Sequence, residues 1–532
     1  MATPLQPTFQ CINDRPPFFS LPFPSTSLRF LSSPQNSYSS TTQTHKNLLI
    51  KSQIAPAPVT GPAQPKTLEA PANVLKSHSH LHSDKISSKT EQCKFFATCA
   101  PGLEQVVAAE LGSPLIGATG IKEGSGGVYF QGTLSTGYSA NLWLRCGIRV
   151  LLELSYAEMP KKDRDCVYNF VRNAVDWPQY LASSTLKKSG YKRWKFRTFA
   201  VQSRVWDCTQ VTNSMSASIR TKDAICDSIR DACNNKRPDP PEEGGAKADV
   251  PLFLSLYRDK AVLYKDMSGV SLHRRGYRDV MHRASLSEAV AAGILTLAGW
   301  NTRVQGLGVA NKNGGLESLE NMVLLDPMCG SGTFLIEAAL MAANRAPGLT
   351  RKTWPFKSWH DFDSVSWKEC WQNASSAATP IPPGLRLLGN DKHEGALSLC
   401  ARDAEAAGVK EVLELSCKDC RDYSPSVTPT LVVVNPPWGF RLGNEGENDH
   451  EGVESTWEAL GQFSKQHCNN ADMYILSGKS TATRELRMKA DKKWPITMGG
   501  VECRLLHYYV LPSKVGTTTD CARISKKHSI TE

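Results

Sequence analysis

The stretch NMVLLDPMCGSGTFLIEAALMAANRAPG, from Asn321 to Gly348, limits the fold more than any other part of this chain. Met322 to Leu325 form a short apolar run of the kind buried on both faces of a parallel sheet. Asp326 to Gly332 make a tight glycine-rich turn, and Thr333 to Asn344 have the texture of a buried helix. Strand, glycine turn and helix in that order open a βαβ unit, with the helix N-terminus offering unpaired N–H groups at the crevice beyond the strand end. The glycines let the backbone approach a ligand closely. Their spacing is neither the dinucleotide-binding GxGxxG nor a phosphate-cradling loop with its lysine, so no phosphate need sit there. What fits is a loop closing over an uncharged or zwitterionic tail, with Asp326 placed to accept from an ammonium group directly or through water.

Three further strand ends follow. LRLLGND runs from Leu385 and places Asp391 at its tip, where a carboxylate would hold a ribose diol by paired hydrogen bonds or cap the next helix; both roles can coexist. VLELSCKDCRDY sets Asp419 and Asp422 just after Leu415, where an acid can accept from the exocyclic amine of adenine. In LVVVNPPWGFRLG, Leu431 to Val434 form a strand that terminates in Asn435-Pro436-Pro437-Trp438. Two successive prolines remove backbone donors and fix the chain, so the Asn435 side-chain oxygen and the Pro436 carbonyl can both accept from one planar NH₂ group. Trp438 offers a stacking face to the same ring. This arrangement suits methylation of an amine conjugated to a planar system.

With 532 residues there is length for two or three domains. Residues 1–90 are rich in Ser, Thr and Pro, poor in acids and without apolar period, which is the composition of an organelle transit peptide and linker. Sparse arginine favours a chloroplast address, with the mitochondrion or the cytoplasm as alternatives. Residues 91–158 read as a small α/β unit and 159–270 as a second module with a basic amphipathic helix, NSMSASIRTKDAICDSIRDACNN, whose apolar positions include Ile219, Ala224, Ile225, Ile229 and Ala232. From 271 to 515 long helices alternate with short apolar strands, predicting a parallel sheet, and 516–532 read as a polar tail.

Hydrophobic residues at 40 % and charged residues at 21 % exclude a globally disordered chain. The longest apolar stretch, AVAAGILTLAGW from Ala289, is too short to span a bilayer, so no membrane partner is expected. Net charge is +11; the leader, with eight bases against three acids, holds +5 and the remainder +6, a balance that favours a polyanionic partner. Sixteen scattered cysteines read as reduced thiols. The lone CxxC of Cys417 and Cys420 lacks a second pair for zinc, and His78, His80 and His82 lie in a linker, so no metal is expected. TWPFKSWHDFDSVSWKECW reads as core packing ahead of a substrate cleft.

DPMCGSGT, the acid of GND and NPPWG, in this order, resemble the class I S-adenosylmethionine-dependent amino-methyltransferases. SGVSLHRRGYRDVMHRASLSEAVAAGILTLAGW and WPITMGGVECRLLHYYVL are similar to the large-subunit rRNA guanine-N2 methyltransferases that carry a THUMP domain, here with an organellar leader of the plant kind. FATCAPGLEQVVAAEL and the basic helix resemble that family's ferredoxin-like unit and THUMP module. The resemblance implies a Rossmann-like catalytic domain behind an RNA-gripping module. It also implies S-adenosylmethionine contacts from Asp326, Pro327, Cys329, Gly330, Gly332, Thr333, Asp391 and Asp419. Asn435, Pro436, Pro437 and Trp438 become the catalytic motif, and Arg220, Lys222, Arg274 and Arg275 contacts to RNA. Trp438 stands where the family more often has Tyr, which keeps stacking and loses the hydroxyl. The implied product is N2-methylguanosine in large-subunit rRNA or a pre-ribosome. A tRNA substrate and a catalytically silent ribosome-assembly factor remain alternatives.

Overall fold

The computed structural model describes residues 91–512, except 161–162, 187–191, 243, 280–284, 306–321, 439–449 and 479–481. The expected leader (1–90), its histidines and the expected tail (516–532) lie outside the described residues.

Two seven-stranded sheets organise the chain. The first starts with β1 (Cys93–Cys99), α1 (Glu104–Leu111), β2 (Thr119–Gly124), β3 (Gly127–Gly132), α2 (Leu134–Trp143) and β4 (Gly147–Glu158). It continues through α3 (Cys166–Arg172), α4 (Trp177–Leu181), a separate hairpin of β5 (Ala182–Leu186) and β6 (Lys192–Phe196), then β7 (Phe199–Trp206), α5 (Ser214–Ala232), β8 (Val250–Tyr257) and β9 (Lys260–Asp266). Its order is β2-β3-β1-β4-β9-β8-β7. The two N-terminal units expected to part at residue 158 therefore share one sheet through the β4–β9 pairing. β2, TGIKEG, has no apolar alternation to betray it; as an edge strand paired only with β3 it needs none.

On α5 the buried residues are Ala217, Thr221, Ala224, Ile225, Cys226 and Ile229. Ile219, counted on the apolar face from sequence, is 52 % exposed, because two residues from Ala217 carry it about 200° round the helix. Ala232 is exposed as well.

The second sheet is built from α6 (Glu288–Leu297), α7 (Trp300–Gln305), β10 (Val323–Asp326), α8 (Thr333–Ala342), α9 (Ser364–Ser376), β11 (Arg386–Asn390), α10 (Glu394–Ala406), β12 (Leu413–Ser416), β13 (Leu431–Val434), α11 (His450–His467), β14 (Asp472–Ser477), β15 (Lys492–Met498) and β16 (Val501–Tyr509). Its order is β12-β11-β10-β13-β14-β16-β15. β10 to β14 run parallel and β16 is antiparallel to β14. The chain steps outward from β10 to β12, then returns to β13 on the other side of β10. That reversal opens a crevice beyond the carboxyl ends of β10 and β13, where ligands of such sheets bind.

The two sheets are docked tightly. Trp354, Phe356, Trp359 and Trp367 are 0–7 % exposed, and Tyr138 of α2 lies among them, 4.8 Å from Phe356 by ring centroids. Core packing is thus what the aromatic segment does. Lys265 of β9, 1 % exposed, donates to Asp361 at 2.7 Å beneath the Trp359 ring. Thr497 N–H of β15 donates to the Pro101 carbonyl at 2.9 Å, and Gly102 (φ 97°) sits so close under the Pro495 carbonyl that a Cβ would collide with it. Among the described residues no helix is long and apolar enough to cross a membrane, the cysteines are free thiols, and no group of three or more His, Cys, Asp or Glu is placed to hold a metal.

Candidate active site

β10 delivers Asp326 to the crevice, 2 % exposed. Burial pushes its carboxyl well above the ordinary value; the Met328 N–H, donating at 3.2 Å, offsets part of this and the charge of Asp391 adds to it. The glycine turn follows. Gly330 (φ 53°) and Gly332 (φ 71°) take the left-handed conformation, and Gly332 is the residue before the first turn of α8. Where a Cβ of Gly330 would stand no atom lies within 4 Å, so the space beside this residue is open. A Cβ on Gly332 would instead run into the Cys400 sulfur of α10. Cys329 is buried, its thiol hydrogen-bonded to Cys400, so its side chain faces the core and only its backbone borders the crevice.

Asp391 follows β11. Its Oδ2 accepts from the Gly330 N–H at 2.8 Å and its Oδ1 from the His393 N–H at 2.9 Å. The helix cap is His393 rather than Asp391, so the acid braces the glycine loop from two residues upstream of the cap. Asn390, which sequence reasoning left without a role, is 1 % exposed and ties three loops together: its Nδ2 donates to the carbonyls of Pro327 (3.1 Å) and Lys418 (3.0 Å), while its Oδ1 accepts from Lys418 N–H. Asp419 lies beyond β12 with both carboxylate oxygens 3.1 Å from Arg421 Nη1.

Asn435 follows β13 directly, and its Oδ1 is buried with no hydrogen-bond partner among the described residues. An unmade hydrogen bond at a buried acceptor costs about 1–3 kcal/mol, so this oxygen stands ready for a donor that the described residues do not supply. Two indoles pin the motif: Trp457 of α11 donates to the Pro437 carbonyl at 3.0 Å, and Trp438 donates to the Leu476 carbonyl of β14 at 3.1 Å. Gly478 lies under the Trp438 ring, where any side chain would clash. Sequence reasoning missed Trp457 because EGENDHEGVESTWEALG departs from simple helical patterning, yet α11 begins at His450 and buries Val453, Trp457 and Leu460.

Arg278 was also missed. Its side chain, 3 % exposed, contacts Ser331 Oγ at 3.3 Å and Thr333 Oγ1, and lies 3.5 Å from each of Glu288 and Asp403. It ties the segment ahead of α6 to the glycine loop and α10. The Thr333 hydroxyl is thereby engaged inside the protein. The proposed RNA contact at Arg275 is corrected: Arg275 is 1 % exposed, donates to the carbonyls of Leu272 and Arg145, and meets Glu337 of α8 at 3.5 Å, so no surface ligand can reach it. Its neighbour Arg274 is exposed. Arg220 and Lys222 are exposed on α5 but diverge, Arg220 toward Asp165 at 3.5 Å.

Residues 317–507 match the family model described as RMKL-like, methyltransferase domain, and residues 94–151 match the RlmL ferredoxin-like domain. The chain is 33 % identical over 423 residues to the ribosomal RNA large subunit methyltransferase K/L of Syntrophotalea carbinolica, an alignment covering 78 % of this chain and 53 % of that protein. The chain thus spans about half the length of the curated relatives it matches. Among solved structures, a protein described as a possible methylase from Clostridium difficile 630 superposes with a TM-score of 0.63 at 24 % identity, covering 80 % of this chain and 100 % of the other. A candidate methyltransferase complexed with SAH gives 0.62 at 24 %, with the same coverage. These two share the fold, including the N-terminal sheet. The strand order, the glycine loop and the NPPW turn belong together: residues 317–507 of this chain are a member of the RMKL-like methyltransferase domain family, and residues 94–151 of the RlmL ferredoxin-like domain family.

Proposed function

We propose that this chain is an S-adenosylmethionine-dependent RNA methyltransferase that forms N2-methylguanosine in large-subunit rRNA, and that it works in the chloroplast. The observation that carries the reading is the buried Oδ1 of Asn435 at the carboxyl end of β13, which has no hydrogen-bond partner among the described residues. The relatives named rRNA large subunit methyltransferase K/L support the substrate class, and the composition of residues 1–90 supports the address.

The residues lining the crevice fit the cofactor. The open space beside Gly330 admits the methionine part, Asp326 is the acceptor for its ammonium, Asp391 for the ribose hydroxyls and Asp419 for the adenine amine. When bound, S-adenosylmethionine supplies a methyl group on a sulfonium, already electrophilic, so the protein needs no metal or nucleophilic side chain for it. The chain's own work is on the acceptor amine. In guanine the N2 lone pair is delocalised into the ring. Asn435 Oδ1 and the Pro436 carbonyl accept one hydrogen each and draw the NH₂ group out of conjugation, which frees the lone pair and aims it. Trp438, held at its indole N–H by Leu476, stacks against the base. A paired guanine must first leave its duplex, at a cost of a few kcal/mol. The 159–270 region acts as the THUMP module and supplies affinity through RNA shape and phosphate contacts.

Asn435→Ala should abolish N2-methylguanosine formation, read by nucleoside mass spectrometry of the treated rRNA, while cofactor and RNA affinities stay within about threefold. Turnover retained in that variant overturns the role of Asn435; wild-type product that is some other methylated nucleoside overturns the guanine-N2 reading.

A further inference from the structure

α5 carries three cations whose fates differ. Arg220 is neutralised by Asp165 and Arg230 by Asp227 at 2.9 Å. Lys222 makes no ion pair among the described residues. It faces a cavity of about 350 Å³ between α5, the outer edge of β7 and the loop that follows α5. Arg237, on that loop, faces the same cavity and donates to the Cys226 thiol in its wall; it too has no carboxylate partner among the described residues. Lys222 and Arg237 thus line the same cavity, which sets two cations around one space. Asp239 is the acid in the lining, leaving the cavity net positive.

The remaining wall is apolar: Phe199 of β7 and Pro240 of the loop, with proline rings that present flat, rigid faces. β7 is the last strand of its sheet, so its outer edge brings main-chain donors and acceptors to the cavity rather than to another strand. The volume lies within the roughly 300–1,000 Å³ range of small-ligand sites. Two cations around one space select an anion, the apolar wall selects a flat ring, and the strand edge offers hydrogen bonds to whatever joins them. A phosphate carried on a heterocycle combines all three.

We propose that this cavity seats one nucleotide of the substrate RNA strand, with its phosphate between Lys222 and Arg237 and its base against the Phe199 side. The inference rests on the RNA reading above and goes further, because it assigns Arg237 and the β7 edge, which sequence had not singled out. It also separates Lys222, which grips RNA, from Arg220, which leans toward Asp165.

The test uses the full chain and its Lys222→Gln/Arg237→Gln double variant, both positions being exposed. The probe is a mixed-sequence single-stranded RNA containing 4-thiouridine, followed by anisotropy across a salt series and by photocrosslinking. Losing one or two phosphate contacts should flatten the slope of log affinity against log salt by about 0.7–1.4 and weaken binding roughly tenfold near 0.15 M salt. Wild-type crosslinks should map to the peptide around Cys226 and vanish in the variant, while its S-adenosylmethionine affinity stays unchanged, which separates loss of grip from loss of fold. A wild type that binds RNA while the double variant keeps the same slope, affinity and crosslinks overturns the cavity assignment alone. A wild type that binds no RNA overturns the RNA reading and this inference with it.

Discussion

Gly330 and Gly332 stand two residues apart in one loop, both in the left-handed region, yet alanine at each should fail in a different way. The backbone strain is common to both, about 1–2 kcal/mol for a non-glycine residue at such φ. At Gly332 the new methyl also meets the Cys400 sulfur, which is fully buried and has nowhere to go. Overpacking of this kind adds about 1–3 kcal/mol, so Gly332→Ala should lose about 2–5 kcal/mol in all. At roughly 2–4 °C per kcal/mol for a domain of this size, the melting temperature drops by about 4–20 °C. At Gly330 no atom lies within 4 Å of the added Cβ, so the loss stops at the strain and the drop is about 2–8 °C. That methyl would occupy the space assigned to the methionine part of the cofactor, and S-adenosylmethionine affinity by titration calorimetry should fall at least tenfold. The double variant Gly332→Ala/Cys400→Ala isolates the clash: the pair should be more stable than the sum of the single losses by about 1–3 kcal/mol. A Gly330→Ala protein that binds the cofactor as tightly as wild type would refute the placement of the cofactor against this loop. A Gly332→Ala loss no larger than that of Gly330→Ala would refute the steric account.

Two further outcomes follow from buried charge. Burial pushes the Glu288 carboxyl up, and Arg278 is the largest influence holding it down; Arg278→Met leaves Glu288, its side chain about 2 % exposed, without that cation while Asp403 keeps Arg402 at 2.9 Å, and should cost about 3–5 kcal/mol. Thermal melting should record that loss together with weaker S-adenosylmethionine binding, since the same guanidinium holds Ser331 and Thr333; Arg278→Met with wild-type melting would show the ion pairs to be idle. The Asp326 carboxyl is raised by burial, so the empty site favours its protonated form, and its contribution to folding is full below the ordinary carboxyl value near 3.8 and declines as pH rises through the raised value. Cofactor binding has the opposite dependence, because an ammonium needs the carboxylate: affinity should rise with pH across that window, with proton release visible as a buffer-dependent binding enthalpy, and Asp326→Asn should remove the dependence.

The catalytic half was legible because its chemistry is local. A strand of four apolar residues, a turn forced by glycines and a turn forced by prolines are each fixed by neighbours in sequence, so Asp326, Asp391 and Asn435 could be placed at strand tips before any coordinates. What escaped was whatever acts across sequence distance. Asn390 bonds carbonyls 63 and 28 residues away, Trp457 reaches back to Pro437 over 20, and Arg278 bridges to Thr333 over 55. No periodicity marks such side chains, because each is a lone polar group whose partner arrives only with the fold. Arg275 was misjudged for the same reason: beside Arg274 it reads as a basic pair, and only Glu337 on α8 shows that it points inward. The joining of the two N-terminal units into one sheet escaped differently, since β4 pairs with β9 across more than a hundred residues and such a pairing leaves no trace in hydropathy.

That continuous sheet bears on how RNA would be handled. If the N-terminal unit were tethered by a linker, it could follow a mobile substrate while the crevice waited. Instead Gly102 lies hard under Pro495, Lys265 is locked on Asp361, and Tyr138 is packed into the aromatic segment of the catalytic half. Swinging the unit would expose these aromatic rings and strip a buried lysine of its partner, which makes a stiff assembly the stable one. On the RNA reading, a phosphate gripped near Lys222 and a guanine seated at Asn435 are then held at a fixed separation, and the RNA has to supply the matching shape. Selection among guanines would come from that separation, with little need for base-edge contacts outside the crevice. Loosening the dock, for instance by Lys265→Met with Asp361 retained, should therefore relax which guanines are modified before it slows methylation of any one of them.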